Sequence, residues 1–120
     1  MNAPTTAATG DPVLLARTFQ ALADEKRVRV LEALGAGERC VCELAEALDV
    51  TQPLLSFHLR TLREAGLVSD HRRGRWVYYS LVPEMLAELE RAAGALGAGE
   101  FASGTIPKGT GRCCVPLRRR

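Results

Sequence analysis

Four cysteines carry most of the chemistry this sequence offers, as two pairs: Cys40-Val41-Cys42 and the adjacent Cys113-Cys114. A thiolate is a soft donor that selects soft or thiophilic ions over hard ones, and it is also the form that oxidises. In a cytoplasmic protein such pairs serve as ligands or redox groups rather than structural disulfides. A lone C-x-C is a weak signal, because a buried cysteine is often only a small hydrophobe. Its setting strengthens it. Arg39 precedes the pair and an apolar-periodic segment follows, so the thiols fall at a helix N-terminus, where the dipole favours the thiolate. Against an enzyme, there is no Ser/His/Asp set, no glycine-rich phosphate loop and no paired general acid and base. A small metallochaperone or detoxifying enzyme using the dithiols stays open as an alternative.

The segment after the first pair, ELAEALDVTQPLLSFHLRTLREAGL (residues 43–67), predicts two short helices around one core. Leu44, Ala45 and Leu48 recur at helical spacing, as do Leu55, Leu59, Leu62 and Leu67. Asp49-Val50-Thr51 breaks the pattern. Thr51 caps the second helix, Pro53 sits in its first turn, and Gly66 offers a left-handed residue at its end. A helix pair of this kind is the helix-turn-helix of DNA-binding proteins, whose second helix enters the major groove.

Charge is distributed to match. The chain of 120 residues carries only +2 overall. Residues 1–50 hold five Lys/Arg against eight Asp/Glu, whereas residues 51–80 hold Arg60, Arg63, Arg72, Arg73 and Arg75 against Glu64 and Asp70. Residues 101–120 hold five cations and no acid. A phosphate-binding surface needs local positive potential, not a high total, so the balance is compatible with nucleic acid.

The remaining elements follow from pattern. Residues 1–10 are predicted disordered. Asp11-Pro12 starts a helix with Val13, Leu14, Ala16, Phe19, Leu22 and Ala23 as its apolar positions, and Asp24-Glu25 opens another with Val28, Val30, Leu31 and Leu34, ended by Gly35. After Gly66 the period drops toward two: Leu67-Val68-Ser69 and Trp76–Leu81 predict a β-hairpin whose loop is Arg72-Arg73-Gly74-Arg75. That hairpin is the wing of a winged helix, with its arginines placed for the minor groove or flanking phosphates. Pro83 starts a last amphipathic helix with Met85, Leu86, Leu89, Ala92, Ala93 and Leu96. This helix and the first are assigned to a dimer interface, with packing inside one chain as the alternative. The expected organisation is thus 1–10 disordered, 11–96 a mainly α, dimeric winged helix-turn-helix with one β-hairpin, and 97–120 a flexible, glycine-rich basic tail carrying Cys113-Cys114. No run approaches the roughly 20 apolar residues of a membrane span, and the opening MNAPTTAATGDP has no signal-peptide pattern. A cytoplasmic protein with no membrane partner is expected.

LADEKRVRVLEAL, ERCVCELAEAL, VTQPLLSFHLRTLREAGLV and RRGRWVYYSL, in that order and spacing, resemble the ArsR/SmtB family of bacterial metalloregulatory repressors over roughly residues 12–96. The resemblance implies a dimeric winged helix that holds operator DNA when metal-free and releases it when a thiophilic ion binds. It also implies that Glu38-Arg39-Cys40-Val41-Cys42 corresponds to the arsenic-binding Cys-Val-Cys box. Arsenic-responsive members usually carry a third cysteine shortly after that box, and Glu43 to Ala47 contains none. Trivalent arsenic or antimony takes three sulfurs in a pyramid, so the third is assigned to Cys113 or Cys114. Arsenite is the expected inducer, with antimonite as a variant. Cadmium, lead or zinc sensing and thiol oxidation remain rivals for the same cysteines. Zinc is disfavoured because residues 83–96 contain no histidine. Thr51, Gln52, Ser56, His58 and Arg60 are assigned to the DNA-reading helix and Arg72, Arg73 and Arg75 to the wing, with double-stranded operator DNA and a second copy of the chain as partners.

Overall fold

The computed structural model describes residues 11–99; the expected disordered start, the tail beyond residue 99 and Cys113-Cys114 lie outside the described residues. The elements are α1 (Pro12–Ala21), α2 (Glu25–Leu34), β1 (Arg39–Cys40), α3 (Val41–Leu48), α4 (Gln52–Glu64), β2 (Val68–Arg73), β3 (Trp76–Leu81) and α5 (Pro83–Ala98). No helix among the described residues is long and apolar enough to cross a membrane.

Three of the five helices, α1, α2 and α4, start where the sequence supplies a side-chain cap. The Asp11 side chain accepts from the Val13 N–H at 2.9 Å, Asp24 from Lys26 N–H at 2.8 Å, and Thr51 Oγ1 from Leu54 N–H at 3.3 Å. These bonds satisfy donors that the first helical turn leaves without partners. Burial works to raise the Asp24 carboxyl, but the backbone N–H groups of Lys26 and Arg27, with His58 and Arg27 nearby, outweigh it and hold the group below the usual carboxylate range.

The ends of α3 and α4 share one geometry. At the end of α4, Leu67 N–H bonds Leu62 O at 3.0 Å and Gly66 N–H bonds Arg63 O at 2.9 Å, with Gly66 at φ 82°. That is a Schellman closure, with glycine where a left-handed residue is needed. At the end of α3 the same pair of bonds runs from Val50 to Ala45 O and from Asp49 to Glu46 O, but the left-handed residue is Asp49, at φ 56°. An L-residue there carries a steric cost that glycine avoids.

The core is one cluster. Leu44 of α3, Leu55, Leu59 and Leu62 of α4, Val30 of α2 and Leu67 have essentially no exposed surface, and Leu15, Val68, Tyr79, Met85 and Leu89 close around them. The expected leucine face of α4 is therefore observed. The first helix differs from expectation. It buries Leu15, Thr18 and Ala21, whereas Val13 and Phe19 are exposed, and the Thr18 hydroxyl donates to Leu14 O at 2.9 Å. In α2, Val30 and Leu34 are buried and Val28 is exposed.

The hairpin is longer and its turn tighter than the sequence indicated. β2 continues through Arg73, which pairs with Trp76, so the turn is only Gly74-Arg75. Gly74 has φ 62° and Arg75 does not share a positive φ, the pattern of a type II′ turn. Arg72 and Arg73 are strand residues and project to opposite faces. A third strand, absent from the sequence reading, completes an antiparallel sheet in the order β1-β3-β2: Arg39 pairs with Tyr79 and Cys40 with Tyr78. The last helix runs to Ala98, two residues past the expected domain bound at residue 96, and Gly99 at φ 77° closes it.

Two outcomes follow from these ends and caps. Replacing Asp49 by Gly relieves the left-handed strain and raises unfolding free energy by roughly 0.5–1 kcal/mol in urea denaturation. The Asp24 carboxyl, held down in the folded state, stabilises above its unfolded pKa, and that stabilisation is lost as pH falls through the folded value. Below roughly pH 4, wild type should lose stability more steeply than Asp24→Asn, as followed by thermal melts at successive pH values.

Candidate functional site

The helix-turn-helix places three groups around one cleft. It has a volume of about 360 Å³ and is lined by Val41 and Cys42 of α3, Gln52 and Ser56 of α4, and Arg75, Trp76 and Val77 of the hairpin. Cys40 is the N-cap residue of α3 and is half-buried, while Cys42 is exposed; both are free thiols. The Cys40 N–H donates to the Glu43 carboxylate at 3.1 Å, which anchors the first turn of α3. Gln52, the first residue of α4, donates from Nε2 to Cys42 Sγ at 3.7 Å. One of the candidate ligand sulfurs is thus in hydrogen-bond contact with the residue expected nearest the groove.

As a donor set, Cys40 and Cys42 provide two sulfurs one residue apart. Among the described residues no cluster of three or more His, Cys, Asp or Glu could hold a metal ion. Two thiolates as a donor set suit a soft, thiophilic ion better than a hard one.

On α4, Thr51, Gln52, Ser56 and Arg60 are exposed. His58 is not. It is 5% exposed, and its Nδ1 lies 3.2 Å from the Arg27 guanidinium, which also donates from Nε to Ala21 O at 2.8 Å. A guanidinium has only donors, so Nδ1 accepts and the ring is held in a core position. The assignment of His58 to the DNA face is corrected for this reason: residue 58 falls on the same stripe as Leu55 and Leu62 and faces inward. Its neighbour Phe57, which the sequence reading passed over, is 53% exposed.

The wing arginines divide. Arg73 is ion-paired with Glu38 and lies over the Tyr78 ring at 4.5 Å, while His71 Nε2 sits 3.3 Å from the same glutamate and stacks on Tyr78. Arg72, Arg75 and Arg60 make no ion pair among the described residues. Tyr79 is buried and Tyr78 half-buried, in line with wing packing, whereas Trp76 is exposed. The orientation of the wing relative to α4 is tied by an Arg63–Asp70 pair at 3.0 Å. On a surface this exposed the pair contributes at most about 1 kcal/mol, so it orients more than it stabilises.

Comparison with known proteins agrees with this geometry. Residues 24–70 match the family model described as bacterial regulatory protein, arsR family. The chain is 52% identical over 68 residues to the arsenic resistance transcriptional regulator ArsR1 of Pseudomonas putida, covering 56% of this chain and 53% of that protein; it thus spans only about half of that relative's length. It is 38% identical over 97 residues to the arsenical resistance operon repressor of Bacillus subtilis, covering 80% of this chain and 86% of that protein. The solution structure of a homodimeric winged helix-turn-helix DNA-binding domain from Mycobacterium bovis, titled a possible ArsR-family transcriptional regulator, superposes with TM-score 0.60 at 26% identity, covering 83% of this chain and 88% of that one. These relatives are transcription regulators and not enzymes. A mainly helical winged helix-turn-helix with a small antiparallel sheet, matched in sequence across most of a family member, places the chain in the ArsR family of bacterial regulatory proteins.

Proposed function

We propose that the protein is a homodimeric repressor that holds operator DNA through α4 and the hairpin and releases it when arsenite, or antimonite, is bound by Cys40, Cys42 and a third thiolate from Cys113 or Cys114. The observation that carries this reading is the contact from Gln52 Nε2 to Cys42 Sγ. A ligand shifts an equilibrium only through different affinity for its two states. A sulfur that spends its lone pair on a metalloid and moves toward other sulfurs is a different partner for Gln52, so the end of α4 feels the ion directly. The relatives' names, arsenic and arsenical resistance regulators, support the choice of ion.

The dimer is supported by apolar groups that one chain leaves in water: Val13 and Phe19 on α1 and Leu96 on α5 are exposed. A second copy covers them, and the homodimeric relative gives the precedent. Two α4 helices related by a two-fold axis call for an operator of two half-sites spaced by the DNA repeat.

The decisive measurement is operator binding by fluorescence anisotropy on the reduced full chain, with arsenite, antimonite and cadmium titrated in. Arsenite is expected to release DNA from wild type but not from Cys40→Ser, Cys42→Ser or at least one of Cys113→Ser and Cys114→Ser. Normal release in both tail variants would remove the tail from the site, and release by cadmium alone would make the inducer a divalent ion. The same assay across salt separates the wing arginines. Arg75→Ala should lower the slope of log K against log salt by about 1, whereas Arg73→Ala should lower it less, because Glu38 already neutralises that guanidinium.

A further inference from the structure

The outward face of α4 is not polar throughout. With Leu55, Leu59 and Leu62 buried, helical periodicity puts positions 53, 57, 60 and 64 opposite them. Phe57 is therefore central on the exposed side, one turn after Pro53 and beside Ser56 and Arg60, and Leu54, three residues earlier and 40% exposed, adjoins it. The Phe57 ring also edges a depression of about 560 Å³ shared with Arg17, Gln20 and Thr61. An apolar ring is thus framed by charged and hydrogen-bonding side chains, the Glu64 carboxylate among them, on the helix assigned above to operator DNA.

Base edges in the major groove present donors and acceptors and one apolar group, the C5-methyl of thymine. Resting on the operator-binding reading above, we propose that Phe57 is a specificity-determining residue that packs on a thymine methyl in each half-site, with Leu54 flanking it. The polar neighbours Gln52, Ser56 and Arg60 have hydrogen-bonding partners available on any base pair, whereas a phenyl ring gains only where a methyl replaces water. The ring therefore discriminates thymine from cytosine, which lacks the methyl, by apolar burial.

The experiment uses the full chain and the tightest duplex selected from a random pool. Each thymine of both half-sites is replaced in turn by deoxyuridine, which removes the methyl and keeps the hydrogen-bonding edge. At one position per half-site, wild type should bind about fourfold more weakly, the effect of losing one buried methyl-sized group. Phe57→Ala should bind thymine and deoxyuridine duplexes equally at that position, while still melting cooperatively and with its salt slope unchanged. The proposal is overturned if no thymine replacement weakens wild type, if Phe57→Ala discriminates as wild type does, or if Phe57→Ala raises the dimer dissociation constant and leaves methyl discrimination intact. A chain that selects no duplex overturns the operator reading as well, and that result is visible before any thymine is replaced.

Discussion

The face that α4 presents to its surroundings depends on the burial of the opposite face. Leu55, Leu59 and Leu62 lose essentially all their exposed surface to α2, α3 and the start of the hairpin, and each buried leucine contributes about 1.5–3 kcal/mol toward holding that face inward. Once those three are fixed, helical periodicity determines where every other residue of α4 points. Ser56, Phe57 and Arg60 are presented outward because the leucines are not, while Gln52, on the leucine stripe but at the helix start, turns toward Cys42 of α3. The caps at Thr51 and Gly66 then set where the helix starts and stops, and so which residues enter the outward set.

Apolar packing alone leaves a helix able to slide or rotate slightly, since leucines tolerate several arrangements. The Arg27–His58 contact supplies direction. It joins α4 to α2, and through Arg27 Nε to the last residue of α1. Among the described residues no buried side-chain nitrogen or oxygen lacks a partner. A partly buried polar link of this kind costs little while every member is satisfied, and breaking one side weakens the partner left behind. It thereby favours one placement of α4 over its near neighbours.

Legibility in the sequence follows the range of the interaction. The helices and their starts were readable because caps, first-turn prolines and glycine ends act within a few residues, as at Asp11-Pro12, Asp24 and Thr51-Gln52-Pro53. β1 was not readable: two residues carry no periodicity, and their partners Tyr78 and Tyr79 lie nearly forty positions away. His58 was misplaced by attention to residue type, although its spacing from Leu55 and Leu62 already put it on the apolar stripe. Phe57 was missed for the converse reason, as an aromatic out of step with the leucines. The Gln52–Cys42 contact required knowing how sharply the chain turns at Asp49, which no local pattern specifies.

The third strand gives the two neighbouring thiols different attachments. Cys40 is held by backbone pairing to β3, the inner strand of the hairpin, and Cys42 touches α4 through its side chain. Val41 alone lies between them. The pair therefore straddles a fork with the hairpin on one tine and α4 on the other, so two elements far apart in the chain meet at three consecutive residues.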